Sequence, residues 1–310
     1  MDAAADLRLS VFMEEFKIAW AYTSMVSISS YNFLTFHQIF FFIIAIPLTM
    51  NSRQIVSWVL FLLSLALPFN TSYGQRPRFK AAAFYSTKGE MDHINFARDA
   101  LYFFTLIAEQ QDFTFDATTD WTNLNDDYLW NYDVVIWLND FPHSDEERQA
   151  FERYINRGGA WLGCHVSAFN LPDSKWKWFN TFLGGAYFHS NNWPPLPAKV
   201  IVEDRNHPVT KRLPDSYVSP TGEWYQWKPS PRENKDVKIL ISLAPENYPL
   251  GVKSKIVGGD TPVVWTNTKY RMLYMNMGHS NKIFSNYDQN NMITDAILWL
   301  GGVSRKEVTK

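Results

Sequence analysis

What most constrains this chain is a set of short, continuous apolar runs, each closed by a turn. KAAAFYS (80–86), DVVIWL (133–138) and AWLGC (160–164) are barely interrupted by polar residues. A strand with one face in water alternates, whereas a strand covered on both faces does not, so these runs predict inner strands of a parallel sheet. Helical spacing fills the interval 93–110, and a second short strand is expected over 113–116. Ser144 with Glu147 forms a capping box that opens a helix to Asn156, where Gly158 and Gly159 stop it. Strands alternating with helices predict a doubly wound α/β fold, a mostly parallel sheet flanked by helices with right-handed crossovers. Sheets of this kind bind ligands beyond the carboxyl ends of their strands, so the loops after strands are where chemistry belongs.

Past residue 182 the pattern loosens. A Pro- and Trp-rich stretch over 191–228 reads as aromatic-rich loop insertions that wall a site, since it is too aromatic to be disordered. Strands return at 237–242, 262–265 and 272–275, and a helix over 289–300 closes a single domain, 76–304, with a tail at 305–310.

Composition narrows the function classes. Of 310 residues, 46% are apolar and 19% charged, with net charge −2, which excludes a disordered tail and a basic nucleic-acid-coating domain. Near-neutrality favours a neutral small-molecule ligand over nucleic acid or an anionic membrane. Aromatics reach 16%, with 13 Trp; burial is their commoner fate and sugar stacking the alternative. A single cysteine, Cys164, excludes an intramolecular disulfide and a cysteine-rich zinc ribbon.

The first 75 residues have a different character, with apolar runs at 39–48 and 55–69 and almost no chemistry-bearing side chain. From Met50 the order is Arg53, an apolar run, then Ser72 and Gly74 before Gln75, the layout of a secretory signal peptide over 50–74 with Met50 as the true start. Cleavage near Gln75 would send the protein to the periplasm or beyond, without stable membrane association. The alternative is an uncleaved membrane anchor, although each run falls short of the roughly 20 residues that span a bilayer.

Gly163-Cys164-His165 lies where a strand turns sharply, the location of a nucleophile elbow. One residue of slip along a strand reverses the side chain, so Cys164 reads as a small buried hydrophobe and His165 takes the elbow position. The run R-G-G-A-W-L-G-C-H (157–165) is followed by L-G-G-A-Y-F-H (183–189), H-P-V-T (207–210), E-W-Y (223–225), P-V-V-W-T (262–266) and N-M-G-H-S (276–280). In this order, from about residue 80 to 302, they resemble the ThuA-like, trehalose-utilisation family. The resemblance implies a class I glutamine amidotransferase-like, flavodoxin-like fold without the amidotransferase cysteine, and a role in sugar metabolism in a broad sense. Cys164 departs from the aliphatic residue expected in that elbow, and K-G-E-M-D-H (88–93) matches the family's first loop only loosely.

His93, His165, His189 and His279 fall in these motifs or in loops after strands. Imidazoles gathered at one rim can hold a divalent, zinc-like metal or carry protons; they can also simply hydrogen-bond loop backbone. His207 is expected to order a turn and His143 to be solvated or capping. Among the rim carboxylates Glu90, Asp140 and Glu223, Asp140 is expected to cap a turn. Glu223 ranks first, because an acid set among Trp224, Tyr225 and Trp227 is desolvated and its pKa rises. The expected site is therefore His165, Glu223 and His279 for catalysis, with His165, His189 and His279 holding a metal. His93, Tyr187, Trp193 and Trp224 are expected to bind substrate, on a polar rim whose removal would leave the melting temperature nearly unchanged. The expected function is an enzyme acting on a sugar or a modified, oxidised sugar; a non-catalytic carbohydrate-binding accessory protein and a cysteine-dependent hydrolase are the alternatives.

Overall fold

The computed structural model describes residues 76–252 and 256–306; the expected signal peptide and start at Met50 lie outside them. No helix among the described residues is long and apolar enough to cross a membrane.

The strands and helices run in the order β1 (Lys80–Phe84), α1 (Met91–Gln111), β2 (Thr114–Thr118), α2 (Asp126–Leu129), β3 (Val134–Trp137), α3 (Asp145–Asn156), β4 (Ala160–Cys164), α4 (Lys177–Phe182), β5 (Phe188–Asn191), β6 (Leu196–Val202), β7 (Ser216–Gly222), β8 (Tyr225–Trp227), β9 (Val237–Leu243), β10 (Pro262–Asn267), β11 (Met272–Met275) and α5 (Tyr287–Leu300). They form a nine-stranded sheet in the order β2-β1-β3-β4-β11-β10-β9-β6-β7 and a separate β5-β8 ribbon. Pairing is parallel from β2 to β11 and antiparallel from there to β7. Only β10 and β6 run against the rest, so the mostly parallel sheet expected from the apolar runs is what forms.

The inner strands are covered on both faces, as continuous apolar runs require. Ala81, Ala83, Ile136, Leu162, Cys164 and Met275 face α1 and α5 through Phe96, Phe104, Ile293 and Ile297. Ala82, Phe84, Trp137, Trp161 and Tyr274 face α3 and α4 through Phe151, Tyr154, Phe179 and Phe182. Each of the larger aliphatic and phenyl side chains among them contributes about 1.5–3 kcal/mol by leaving water, the alanines less. Trp161 is wide enough to occupy its neighbour's space: a Cβ on Gly163 would lie 2.0 Å from the Trp161 ring. The capping box forms as read, with Glu147 N–H donating to Ser144 Oγ at 3.2 Å and Ser144 N–H to Glu147 Oε2 at 3.1 Å.

The 191–228 stretch is a correction. It is not loop throughout: β6 and β7 extend the main sheet, and β8 pairs with β5. Proline conceals these strands. Pro197 sits where the β6–β7 register shifts between Leu196 and Ala198, and Pro220 lies on the edge strand β7, the places where a strand tolerates proline.

Candidate functional site

The site is assembled from four connections at the carboxyl end of the parallel strands. β4 ends at Cys164, and His165 turns the chain with φ 47, a left-handed conformation that few non-glycine residues adopt. β11 lies parallel to β4 with Met275 opposite Cys164, so Asn276 leaves the sheet beside His165. The chain then closes over that ring at Gly278, where a Cβ would lie 2.5 Å from the Cβ of His165, and delivers His279. The loop after β1 brings Glu90 and, from the first turn of α1, His93. Asn139 after β3 anchors that loop: its Nδ2 donates to Ser86 O at 2.9 Å and to His93 O at 3.3 Å. The turn between β7 and β8 brings Glu223.

The three imidazoles meet. Ring centroids of His93 and His165 lie 5.2 Å apart, those of His93 and His279 4.8 Å, and those of His165 and His279 5.5 Å. Glu223 Oε2 is 3.4 Å from His165 Nε2 and 4.0 Å from His279 Nε2. Glu90 Oε1 lies 3.2 Å from His279 Nε2, and Glu90 Oε2 3.9 Å from His93 Nδ1. Asn191 Nδ2 donates to Glu223 Oε1, and the Tyr225 ring packs on His165 at 4.4 Å.

Burial sets the charge. Desolvation, with the neighbouring His165 and His279, lowers His93 to about 4. His165 is driven well below the usual histidine value, first by burial and then by His279. Burial raises Glu223 against the opposing pull of His279, His93 and Asn191. At neutral pH, then, the lowered values favour uncharged imidazoles at His93 and His165, while the carboxyl beside them holds a proton more readily than an exposed one.

Several buried atoms here lack a hydrogen-bond partner, among them His93 Nε2, His165 Nε2 and His279 Nδ1. Buried polar atoms are normally paired, so nitrogens left open within one site are free to take a ligand. Two sets place their donor atoms within 4.8 Å of one another, His93 with His165 and Glu223, and Glu90 with His93 and His279. Imidazole nitrogens with a carboxylate suit a zinc-like divalent ion.

The structure thus brings together His93, His165, Glu223 and His279. It moves His93 from substrate binding into the metal-capable cluster and leaves His189 out: His189 is exposed on β5 and belongs to neither set. Trp224 is a second correction. It is fully buried, donates its Nε1–H to Leu196 O at 2.9 Å and its main-chain N–H to Asn192 Oδ1 at 2.6 Å, and so presents no ring to a sugar. Trp193 is 38% exposed, and Tyr187 is half-buried with Lys177 Nζ 6.0 Å from its ring centre. The expected exposed rim is also corrected, because His165 and His279 are 0% exposed and their replacement disturbs packing. Cys164 is buried, with a thiol pushed far up by desolvation. Asp140 Oδ1 accepts from Phe141 N–H at 2.9 Å, the turn expected of it, and His207 Nδ1 accepts from Val209 N–H at 3.3 Å.

Comparison with known proteins identifies the family. Residues 80–300 match the family model ThuA, described as trehalose utilisation. A ThuA-like protein from Bacteroides uniformis ATCC 8492 is 46% identical over 75% of this chain and 95% of its own, with a TM-score of 0.71. A ThuA-like protein from Parabacteroides merdae ATCC 43184 shares the fold at 17% identity, covering 76% of this chain and 94% of its own, with a TM-score of 0.53. None of the curated proteins matches. The chain belongs to the ThuA family.

Proposed function

We propose that this protein is an exported enzyme of carbohydrate utilisation that acts on a sugar or oxidised sugar through a metal-assisted histidine site. One observation carries the reading: His93 and His165, each with an unpartnered Nε2, share a donor set with Glu223, and His93 joins Glu90 and His279 in a second. His93, His165 and Glu223 would hold a divalent ion, with Glu90 and His279 as the adjoining set. Such an ion supplies Lewis acidity toward a sugar oxygen and a lowered pKa for bound water. The chain's own residues handle the proton. Glu223 is held through Oε1 by Asn191, which leaves Oε2 facing His165 Nε2 at 3.4 Å. With Nε2 of His165 committed to the ion, the carboxyl of Glu223, which burial holds above the usual carboxylate range, is the group that takes a proton from a sugar oxygen or bound water and returns it. The buried Tyr225 ring covers His165 at 4.4 Å and packs in turn on Phe188 at 4.8 Å.

Export rests on the Arg53, apolar-run and small-residue order before Gln75, and mass spectrometry of protein from the native host tests it. A mature amino terminus near Gln75 is expected, and retention of residues 55–69 in a membrane fraction would contradict it. The enzymatic reading is tested by assaying metal-free and zinc-loaded protein on oxidised and unoxidised disaccharides. Turnover that depends on added metal supports it. Sugar binding without turnover would make the chain an accessory binding protein.

A further inference from the structure

Asn276 is buried, leaves the sheet directly after β11, and has no role in the reading above. Its carboxamide is oriented by partners whose roles are unambiguous. The Tyr225 main-chain N–H donates to Oδ1 at 2.9 Å, so Nδ2 points the other way, where it lies 3.2 Å from the Tyr274 hydroxyl and 3.1 Å from Nδ1 of His165. Tyr274 donates its own proton to the main-chain oxygen of His165 at 3.1 Å and therefore accepts from the carboxamide. The main-chain oxygen of Asn276 stands 3.0 Å from the same Nδ1. One residue thus offers both an acceptor and a donor to Nδ1 of a fully buried imidazole. Whichever ring nitrogen carries the proton, Nδ1 is satisfied, and Nε2 is the ring nitrogen left for chemistry, facing Glu223 at 3.4 Å.

We propose that Asn276 is the positioning residue of this site: by clamping Nδ1 of His165 it aims Nε2 at Glu223 in either tautomer of the ring. The inference rests on the proposed function, in which Nε2 is an ion ligand, and Asn276 acts only through His165. The clamp is a product of register. Met275 opposite Cys164 sets Asn276 beside His165, and the Asn276 main-chain N–H is itself tied to Val263 O at 2.7 Å. A partner on the far nitrogen of a ligating imidazole fixes its orientation, and losing it weakens metal binding by about 10–100-fold.

The test compares the whole protein, labelled with 15N-histidine, with its Asn276→Ala and Asn276→Asp variants, using long-range 15N–1H NMR to read the state of each ring, with and without zinc. In Asn276→Ala the donor to Nδ1 is lost and the main-chain acceptor remains, so the His165 ring nitrogens are expected to move toward the Nδ1–H form while those of His93 stay in place, and zinc affinity to hold within about tenfold of wild type. Asn276→Asp keeps the acceptor for Tyr225 and turns a carboxylate oxygen toward Nδ1. It should therefore fix the proton on Nδ1 and hold zinc within about tenfold of wild type. His165 nitrogens unchanged from wild type in both variants overturn the proposal. If Asn276→Ala does not fold, absence of the Nδ1–H signature in Asn276→Asp overturns it alone. A wild type that takes up no zinc defeats the metal reading, and the ring-nitrogen comparison still decides the role of Asn276.

Discussion

The two halves of the main sheet contribute to the site in different ways. The parallel half, from β2 to β11, delivers all three histidines of the cluster from the connections after β1, β4 and β11, and would do so on a plain α/β scaffold. The antiparallel half ends in β6 and β7, and its turn into β8 adds the carboxyl of Glu223 and the Tyr225 ring against His165, while Asn191 at the end of β5 holds that carboxyl. The imidazoles and this carboxyl therefore come from structurally separate sources. The comparison teaches that the nitrogen cluster follows from strand ends, whereas its proton chemistry depends on an extension that the core fold does not require.

That division can be broken most sharply at its junction. Glu223→Gln keeps the shape of the turn and removes the acid, and turnover of whichever sugar the panel identifies should fall by about 10²–10⁴; a rate within a few-fold of wild type would reduce the antiparallel half to a wall. The tryptophans of the extension sharpen the comparison next. Trp224→Ala should cost about 3–5 kcal/mol in urea unfolding, as large core deletions do, while Trp193→Ala, at a residue 38% exposed, should cost clearly less. Equal costs would restore Trp224 to the surface.

A pH effect follows on the histidine side. His93 falls from an ordinary value of 6.5 to about 4, so between these values the unfolded chain binds the proton that the folded chain refuses, and stability rises with pH. Metal-free protein should therefore lose up to about 3 kcal/mol through this residue as pH drops from 7 to 4, and His93→Gln should flatten that slope; an unchanged slope would place His93 in water. The smallest expected effect concerns Cys164. Its buried thiol should resist iodoacetamide in the native state and react once unfolded, whereas rapid native labelling would reopen a thiol mechanism.

Much of the parallel half was legible because its signals are local. AWLGC is β4 residue for residue, 272–275 is β11, and the Ser144 capping box opens α3. His165 and His279 could be joined because both follow strands that lie side by side. The antiparallel half was hidden by Pro197 and Pro220 and by the three-residue length of β8. His189 was misassigned because it lies where the β5–β8 register shifts between Phe188 and Ser190, so the two-residue alternation that would have placed it fails there. Trp224 was misassigned because its inward turn is set by distant partners, Asn192 and Leu196. Asn276 was quoted within a motif but given no role, since its importance lies in contacts 111 residues away in the chain.

The central claim is that His93, His165 and Glu223 form one ion-holding cluster and His189 is outside it. Calorimetric titration of zinc into the metal-free chain, wild type against His93→Ala and His189→Ala, tests it most directly. One ion per chain is expected, with affinity unchanged in His189→Ala and reduced by more than about 100-fold in His93→Ala, since losing a ligand costs more than losing an outer partner. No uptake by wild type, or uptake abolished by His189→Ala and untouched by His93→Ala, would contradict it.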